Sequence, residues 1–156
     1  MRIFKPPSVL PQNSDIPAVF LAGSIEQGTA PDWQLDVTTA LSDLELNIFN
    51  PRRDQWDATW VQRKDNPAFR AQVEWELDAL ELADWIVIYF APQTKAPITL
   101  LEFGLFARSQ KLLVCCPEGF WRRGNVEIVA DRFNISLYAT FEPFLAAIRQ
   151  AITKQQ

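Results

Sequence analysis

The sequence predicts an α/β fold in which a parallel sheet is covered by helices on both faces. Short apolar runs alternate with longer stretches whose apolar residues recur at helical spacing, which is the pattern of successive β-α units. The short runs are apolar throughout rather than at every second residue, as expected for strands that are buried on both faces. Together these two observations favour a doubly covered parallel sheet.

The size of the chain fits one domain. With 156 residues, of which 48% are hydrophobic, the chain can bury a sizeable core, whereas two domains would be cramped. We therefore expect a single domain over residues 1–156, in which residues 1–16 form an extended N-terminal segment.

Five apolar runs predict five strands, and this number suggests a flavodoxin-like sheet with the strand order 2-1-3-4-5. The runs lie at residues 17–22, 46–49, 85–90, 111–116 and 135–139. The first run ends in Gly23 and Ser24, which predict a tight turn. Cys115 and Cys116 belong to the fourth run. Because adjacent cysteines suit neither an ordinary disulfide nor a zinc site, we interpret them as small apolar core residues.

Five helices are predicted between and after these strands. They lie at residues 31–44, 67–84, from 97 onward, around 126–131 and at 141–152. Three of them begin at a proline, which is favoured in the first turn because its missing amide proton has no partner there. Residues 50–65 are polar and predict a long surface loop before the second helix. In that helix the spacing predicts one buried face, made of Phe69, Val73, Leu77, Leu80 and Ala83.

The composition excludes several functions. The chain contains no histidine, so Ser-His-Asp and Cys-His catalysis and histidine-based metal sites are excluded, and we expect neither a metal nor a cofactor. A net charge of −4 argues against nucleic acids and anionic membranes as partners. No apolar run approaches the ~20 residues that cross a bilayer. The N-terminus lacks the apolar core of a signal peptide, so we expect a cytoplasmic protein.

Glu102 is the one charged residue in the apolar stretch 97–107, which makes it the first candidate for a catalytic group. Burying an unpaired charge is costly, so such a carboxylate is paired, hydrogen-bonded or used for chemistry. Its place near a helix N-terminus predicts that it stays ionised and can act as a nucleophile. Gly104, two residues later, suggests that another group packs closely against this helix.

Glu76 is the second candidate, because it lies at the edge of the apolar stripe of its helix, where it can point into a cleft. The neighbouring acidic residues are predicted to face solvent; they are Glu74, Asp78 and Glu81. In a sheet of this order, ligands bind beyond the carboxyl ends of the strands, near the switch in strand order. This rule brings together the turn at Gly23 and Ser24, residues 91–97 and residues 117–125.

A set of short motifs resembles the nucleoside 2-deoxyribosyltransferase family. The motifs span about residues 17 to 130 and follow the order found in the family. They are Val19–Ser24, Asn50–Asp54, Gln72–Glu76 followed eight residues later by Asp84, Ile98–Gly104 and Cys116–Asn125.

The resemblance implies a flavodoxin-like enzyme that cleaves N-glycosidic bonds. Glu102 matches the family's nucleophile, which attacks the anomeric carbon, and Glu76 matches the acidic residue that handles the proton on the base. Asn125 matches an asparagine that a neighbouring subunit contributes, which implies a homo-oligomer with a shared pocket. The family usually has an aspartate or serine six residues before the nucleophile, where this chain has Ala96. The remaining residues assigned to substrate binding are Gly23, Ser24, Arg52, Asp54 and Thr99.

Three functions stay open, each with a small-molecule nucleoside or nucleotide as the partner. The leading prediction is an N-deoxyribosyltransferase that exchanges the base of 2′-deoxynucleosides through a covalent glycosyl–glutamate intermediate, since two carboxyl groups suffice for that chemistry. A nucleoside or nucleotide N-glycosidase of the same fold would pass the sugar to water, and a 5′-phosphate would give Arg52 or Arg53 a role. A non-catalytic nucleotide-binding module is the third function, and Ala96 is the feature that favours it.

Overall fold

The computed structural model describes residues 1–25, 31–53 and 60–154. Its strands are β1 (Arg2–Phe4), β2 (Ala18–Gly23), β3 (Asn47–Phe49), β4 (Trp85–Tyr89), β5 (Leu112–Cys115) and β6 (Ser136–Tyr138). Its helices are α1 (Trp33–Ala40), α2 (Pro67–Leu82), α3 (Pro97–Phe106), α4 (Arg123–Phe133) and α5 (Phe141–Thr153). All strand pairs are parallel, in the order β1-β3-β2-β4-β5-β6. The predicted α/β class and flavodoxin-like order are confirmed.

The sheet has six strands rather than the five predicted. The additional strand, β1, lies within the segment that we expected to be only extended, and it pairs with the outer edge of β3 from Arg2↔Asn47 to Phe4↔Phe49. Only three residues pair before the chain reaches Pro6-Pro7, and proline has no amide proton for a strand ladder. So short a strand leaves no clear signal in the sequence.

Each face of the sheet is covered by a separate layer of helices. One buried cluster joins the sheet to α2, α3 and α4, through residues such as Leu80, Phe103 and Val126. The other joins it to α1 and α5. Cys115 and Cys116 are both buried and belong to opposite clusters, which confirms them as core residues. No helix within the described ranges is both long and apolar enough to span a bilayer.

The buried face of α2 differs from the predicted one. Leu77 is 41% exposed, whereas Gln72, Trp75 and Ala79 are buried together with Leu80. The N-terminal segment explains the difference, because the indole of Trp75 donates a hydrogen bond to the carbonyl of Ser8 at 2.7 Å. The chain before β2 therefore packs over this side of α2. As predicted, the three acidic residues Glu74, Asp78 and Glu81 are exposed.

Gly23 closes β2 at a point that has no room for a side chain. A Cβ atom there would lie 2.6 Å from Cζ2 of Trp33 and 2.6 Å from the carbonyl oxygen of Tyr89, and neither group can move aside easily. We expect Gly23→Ala to lower the free energy of unfolding by about 2–3 kcal/mol, as overpacking does. Urea denaturation measures the change.

Gly104 supplies the matched control. A Cβ atom there meets nothing within 4 Å in the described structure, so no described residue makes the close packing that Gly104 suggested. Alanine is the better residue in a helix interior, and Gly104→Ala should raise stability by about 0.5–1 kcal/mol. Equal effects of the two substitutions would contradict the steric explanation.

Candidate functional site

The loops at the carboxyl ends of β4 and β5 are joined by hydrogen bonds. The backbone amide of Gln93 donates to the carbonyl of Gly119 at 3.1 Å, and the indole of Trp121 donates to the carbonyl of Lys95 at 3.0 Å. The amide of Ser24, after β2, donates to Tyr89 at the end of β4 at 3.0 Å. The three turns therefore meet, as the sequence predicted.

Ser24 belongs to a closed ring of hydrogen bonds. Its hydroxyl accepts from the amide of Ala91 at 3.1 Å and lies 2.7 Å from the hydroxyl of Thr94, which donates to the carbonyl of Ala91 at 2.8 Å. Because Thr94 has one hydroxyl proton, the proton between the two hydroxyls comes from Ser24. Both protons are used inside the ring, and Ser24 is only 1% exposed, so it is the partly exposed Thr94 that presents an acceptor toward a ligand. An acceptor suits a sugar hydroxyl better than a phosphate.

Glu102 lies in the second turn of α3 and is only 8% exposed. Its pKa is raised from 4.5 to about 8, mainly by burial and to a smaller extent by the negative charge of Glu76. No group in residues 1–25, 31–53 or 60–154 donates a hydrogen bond to its carboxylate. Burial and the nearby charge therefore favour the protonated form of Glu102 in the free protein.

The expectation that the helix N-terminus keeps Glu102 ionised is wrong. The dipole of a helix acts mainly within the first turn, and Glu102 lies beyond the first turn of α3. The loss of hydration at this buried position outweighs that attraction. Ionisation of Glu102 thus needs a change in its surroundings, such as the arrival of a substrate.

Glu76 of α2 is half-buried and lies close enough for its charge to act on Glu102. Burial raises the pKa of Glu76, while a hydrogen bond from Gln72 and the charge of Arg53 lower it. The Gln72 amide donates to Oε1 of Glu76 at 2.6 Å. The charge of Glu76 in turn raises the pKa of Glu102, so the two groups are electrostatically coupled. The structure thus brings the two predicted carboxyl groups close enough to interact.

The two arginines that follow β3 have different partners. Arg52 donates to the carbonyl of Pro31 at 3.3 Å and to Oε1 of Gln34 at 3.4 Å, beside the start of α1. Arg53 donates to Oε1 of Gln72, and its guanidinium lies 5.0 Å from the ring centroid of Trp60. Arg53, and not Arg52, therefore connects to the carboxyl pair, and the substrate-binding role of Arg52 stays a prediction. Asp54, the other substrate-binding residue predicted in this motif, lies outside the described residues.

Our reading of the sequence missed Gln72 as a site residue. Its i to i+4 spacing from Glu76 on α2 was the available signal, since residues four apart share a helix face. A glutamine at that spacing is common on helix surfaces, so the spacing alone did not distinguish it.

Comparison with known proteins agrees with these observations. A family model described as nucleoside 2-deoxyribosyltransferase like matches residues 16–120, more than half of the chain and a range that includes both carboxyl groups. The chain belongs to this family. The crystal structure of a conserved protein from Enterococcus faecalis has a TM-score of 0.62 to this chain at 10% identity, covering 87% of this chain and 99% of that one. At that identity the likeness supports the fold alone. No curated protein sequence matches this chain significantly.

Three further positions that the sequence singled out lie at helix starts. Thr99 is buried one turn before Glu102, on the same side of α3. Asn125 is exposed in the first turn of α4, at the carboxyl edge of the sheet. Ala96 precedes α3 in the left-handed conformation, with φ 42° and ψ 53°. Aspartate and asparagine adopt that conformation more readily than alanine does, so the backbone at this position suits an aspartate better than the alanine it carries.

Proposed function

We propose that the protein is an N-deoxyribosyltransferase that exchanges the base of 2′-deoxynucleosides through an ester between the sugar and Glu102. The observation that carries the proposal is the coupled pair of Glu76 and Glu102 in a member of the nucleoside 2-deoxyribosyltransferase-like family. Two neighbouring carboxyl groups with different proton affinities divide the roles of acid/base and nucleophile.

The pair carries one proton and one negative charge over the pH range between its two ionisations, and the reaction needs both. An oxygen of ionised Glu102 attacks C1′ of the sugar, the N-glycosidic bond breaks, and its electron pair goes to the base nitrogen. That nitrogen takes the proton from Glu76. In the second half, the incoming base attacks C1′, gives its proton to Glu76 and releases the Glu102 carboxylate. Burial and the charge of Glu76 favour the protonated form of Glu102 in the free protein, so substrate binding must favour transfer of that proton to Glu76.

The ring around Ser24 supports the nucleoside substrate. Thr94, held by Ser24, presents an acceptor at the carboxyl edge, where a sugar hydroxyl can donate to it. In the proposal the turn at Gly23 and Ser24 holds the sugar, and Thr99 and Arg52 line or support the pocket. Asp54 keeps the substrate-binding role that its motif implies.

The outward face of α3 supports a homo-oligomer with a shared pocket. Ile98, Leu101 and Leu105 are each 59% exposed and lie on one side of the helix, with Gly104 leaving open space beside them. An apolar face of this kind is typical of an interface. If Asn125 serves the pocket of a neighbouring copy, mixing inactive Glu102→Gln and Asn125→Ala proteins restores activity. The absence of recovery in mixed oligomers would argue against sharing.

One assay separates the candidate functions. The protein is incubated with deoxyinosine, with and without adenine, and the products are resolved by chromatography. The proposal predicts deoxyadenosine and hypoxanthine, formed only when adenine is present. Hypoxanthine and free deoxyribose in both incubations would identify a hydrolase instead. No product from a panel of deoxynucleosides would favour the binding module.

A further inference from the structure

Gln72 lies between a cation and the candidate acid/base, with its amide fixed in one orientation. The side chain is 3% exposed. Its oxygen accepts from Nε of Arg53, and its nitrogen lies 2.6 Å from Oε1 of Glu76 and 3.4 Å from the carbonyl oxygen of Pro51. A guanidinium can only donate and a carbonyl can only accept, so a flipped amide would lose both contacts. Glu76 therefore always meets a hydrogen-bond donor.

A donor at this position changes which carboxyl group holds the shared proton. A hydrogen bond to a carboxylate stabilises its charged form, and the effect is largest where water is scarce. The charged group that acts on Glu76 in the described structure is Arg53, from the loop after β3, and Glu76 acts in turn on Glu102 of α3. Arg53 acts through the Gln72 amide as well as through its own charge. The aromatic ring of Trp60 lies against its guanidinium.

We propose that Gln72 is a positioning residue: anchored by Arg53, it presents an N–H to Glu76 and stabilises the ionised form of that carboxyl group. This inference rests on the proposed function for its catalytic meaning. The contact from Gln72 sets the lower pH limit of the singly protonated pair that exchange requires. It also restricts rotation of the Glu76 side chain, so that the acid/base meets the substrate in one geometry.

Titration of Glu76 without any substrate tests the inference. Carboxyl ¹³C NMR follows Glu76, and its signal is assigned by its loss in Glu76→Gln. Gln72→Met keeps the size of the side chain but removes the amide, and we expect the Glu76 midpoint to rise by about one pH unit, since hydrogen bonds to charged groups have effects of this size. Arg53→Met leaves the amide free to rotate and should raise the midpoint in the same direction by less.

Gln34→Met is the matched control. Gln34 is also a buried glutamine that accepts from an arginine, Arg52 at 3.4 Å, but it belongs to α1 on the other face of the sheet. Its substitution should leave the Glu76 midpoint unchanged. An unchanged midpoint in Gln72→Met would overturn the inference. If Gln72→Met does not fold, Gln72→Leu, which also lacks the amide, decides in its place, because Arg53→Met removes a charge as well as a contact.

The exchange assay connects the titration to function. In Gln72→Met, the acid limb of kcat/KM against pH should move upward with the Glu76 midpoint. If the Glu76 midpoint rises in Gln72→Met but the wild-type protein has no exchange activity, the role of the Gln72 contact is supported and the transferase function is rejected. Exchange activity with an unmoved midpoint would reject only the role of Gln72.

Discussion

Glu102→Gln is expected to abolish base exchange, with a loss in kcat on the order of 10⁴-fold or more, the scale seen when a nucleophile is removed. Glutamine has nearly the same shape and fits the same buried position, but its amide oxygen is a poor nucleophile and forms no stable ester with the sugar. The mechanism then fails at its first step. Production of deoxyadenosine from deoxyinosine and adenine measures the loss.

Intact-protein mass spectrometry identifies the nucleophile directly. A slow 2-fluoro-arabinosyl nucleoside should add the mass of its sugar to the wild-type protein and leave Glu102→Gln unmodified. Peptide mapping places the adduct on Glu102. An adduct of equal yield on the Glu102→Gln protein would show that another residue attacks the sugar.

Two further substitutions separate the nucleophile from the acid/base. Glu76→Gln retains the attacking carboxylate but cannot protonate the leaving base, so exchange should fall by about 10²–10⁴-fold while some adduct still forms. Glu81→Gln removes an exposed carboxylate from the same helix and should change neither exchange nor adduct formation. A loss in Glu81→Gln as large as in Glu76→Gln would indicate a general effect of charge on α2.

The sequence was sufficient for the arrangement of the sheet because each central strand is a continuous apolar run. In β4, for example, Ile86 and Ile88 pack against one helical layer and Val87 packs against the other, so neither side of the strand is polar. The edge strand β1 was not predictable in this way, because three half-exposed residues before a proline pair do not form such a run. The face of α2 depended on contact with the distant Ser8, which helical spacing does not encode.

The site was predictable in its residue types but not in its proton positions. Glu102 was recognised because a charge among leucines is rare, and Glu76 because it borders an apolar stripe. Their coupling depends on how closely α2 and α3 approach, which is set by the packing of the whole layer. For the same reason the contribution of Gln72 and Arg53 became visible only when the loop after β3 was placed against α2.

The raised pKa of Glu102 predicts that the protein loses stability as the pH rises. In the unfolded chain the carboxyl titrates near 4.5, and in the folded protein at about 8. Below 4.5 both states hold the proton and stability is unaffected. Between 4.5 and about 8 the unfolded chain releases it while the folded protein keeps it, so the free energy of unfolding falls with pH. At 1.36 kcal/mol per pKa unit, the fall reaches about 4 kcal/mol by pH 8.

Glu102→Gln should remove this loss, because a neutral amide has no proton to release. Urea denaturation between pH 5 and 8.5 is expected to show similar stability of the two proteins at pH 5 and a variant more stable by about 4 kcal/mol at pH 8.5. The raised pKa of Glu76 changes the free energy of unfolding in the same direction in both proteins, so its effect cancels in the comparison. Asp43, whose pKa is lowered, changes the free energy of unfolding only in more acidic solution. The buried cysteines, whose pKa values are raised, change it only in more alkaline solution. Parallel curves for the two proteins would mean that Glu102 ionises as freely when folded as when unfolded. In that case the carboxyl pair would have no shared proton to move, and a nucleophile that is ionised before substrate arrives would replace the coupled pair in the mechanism.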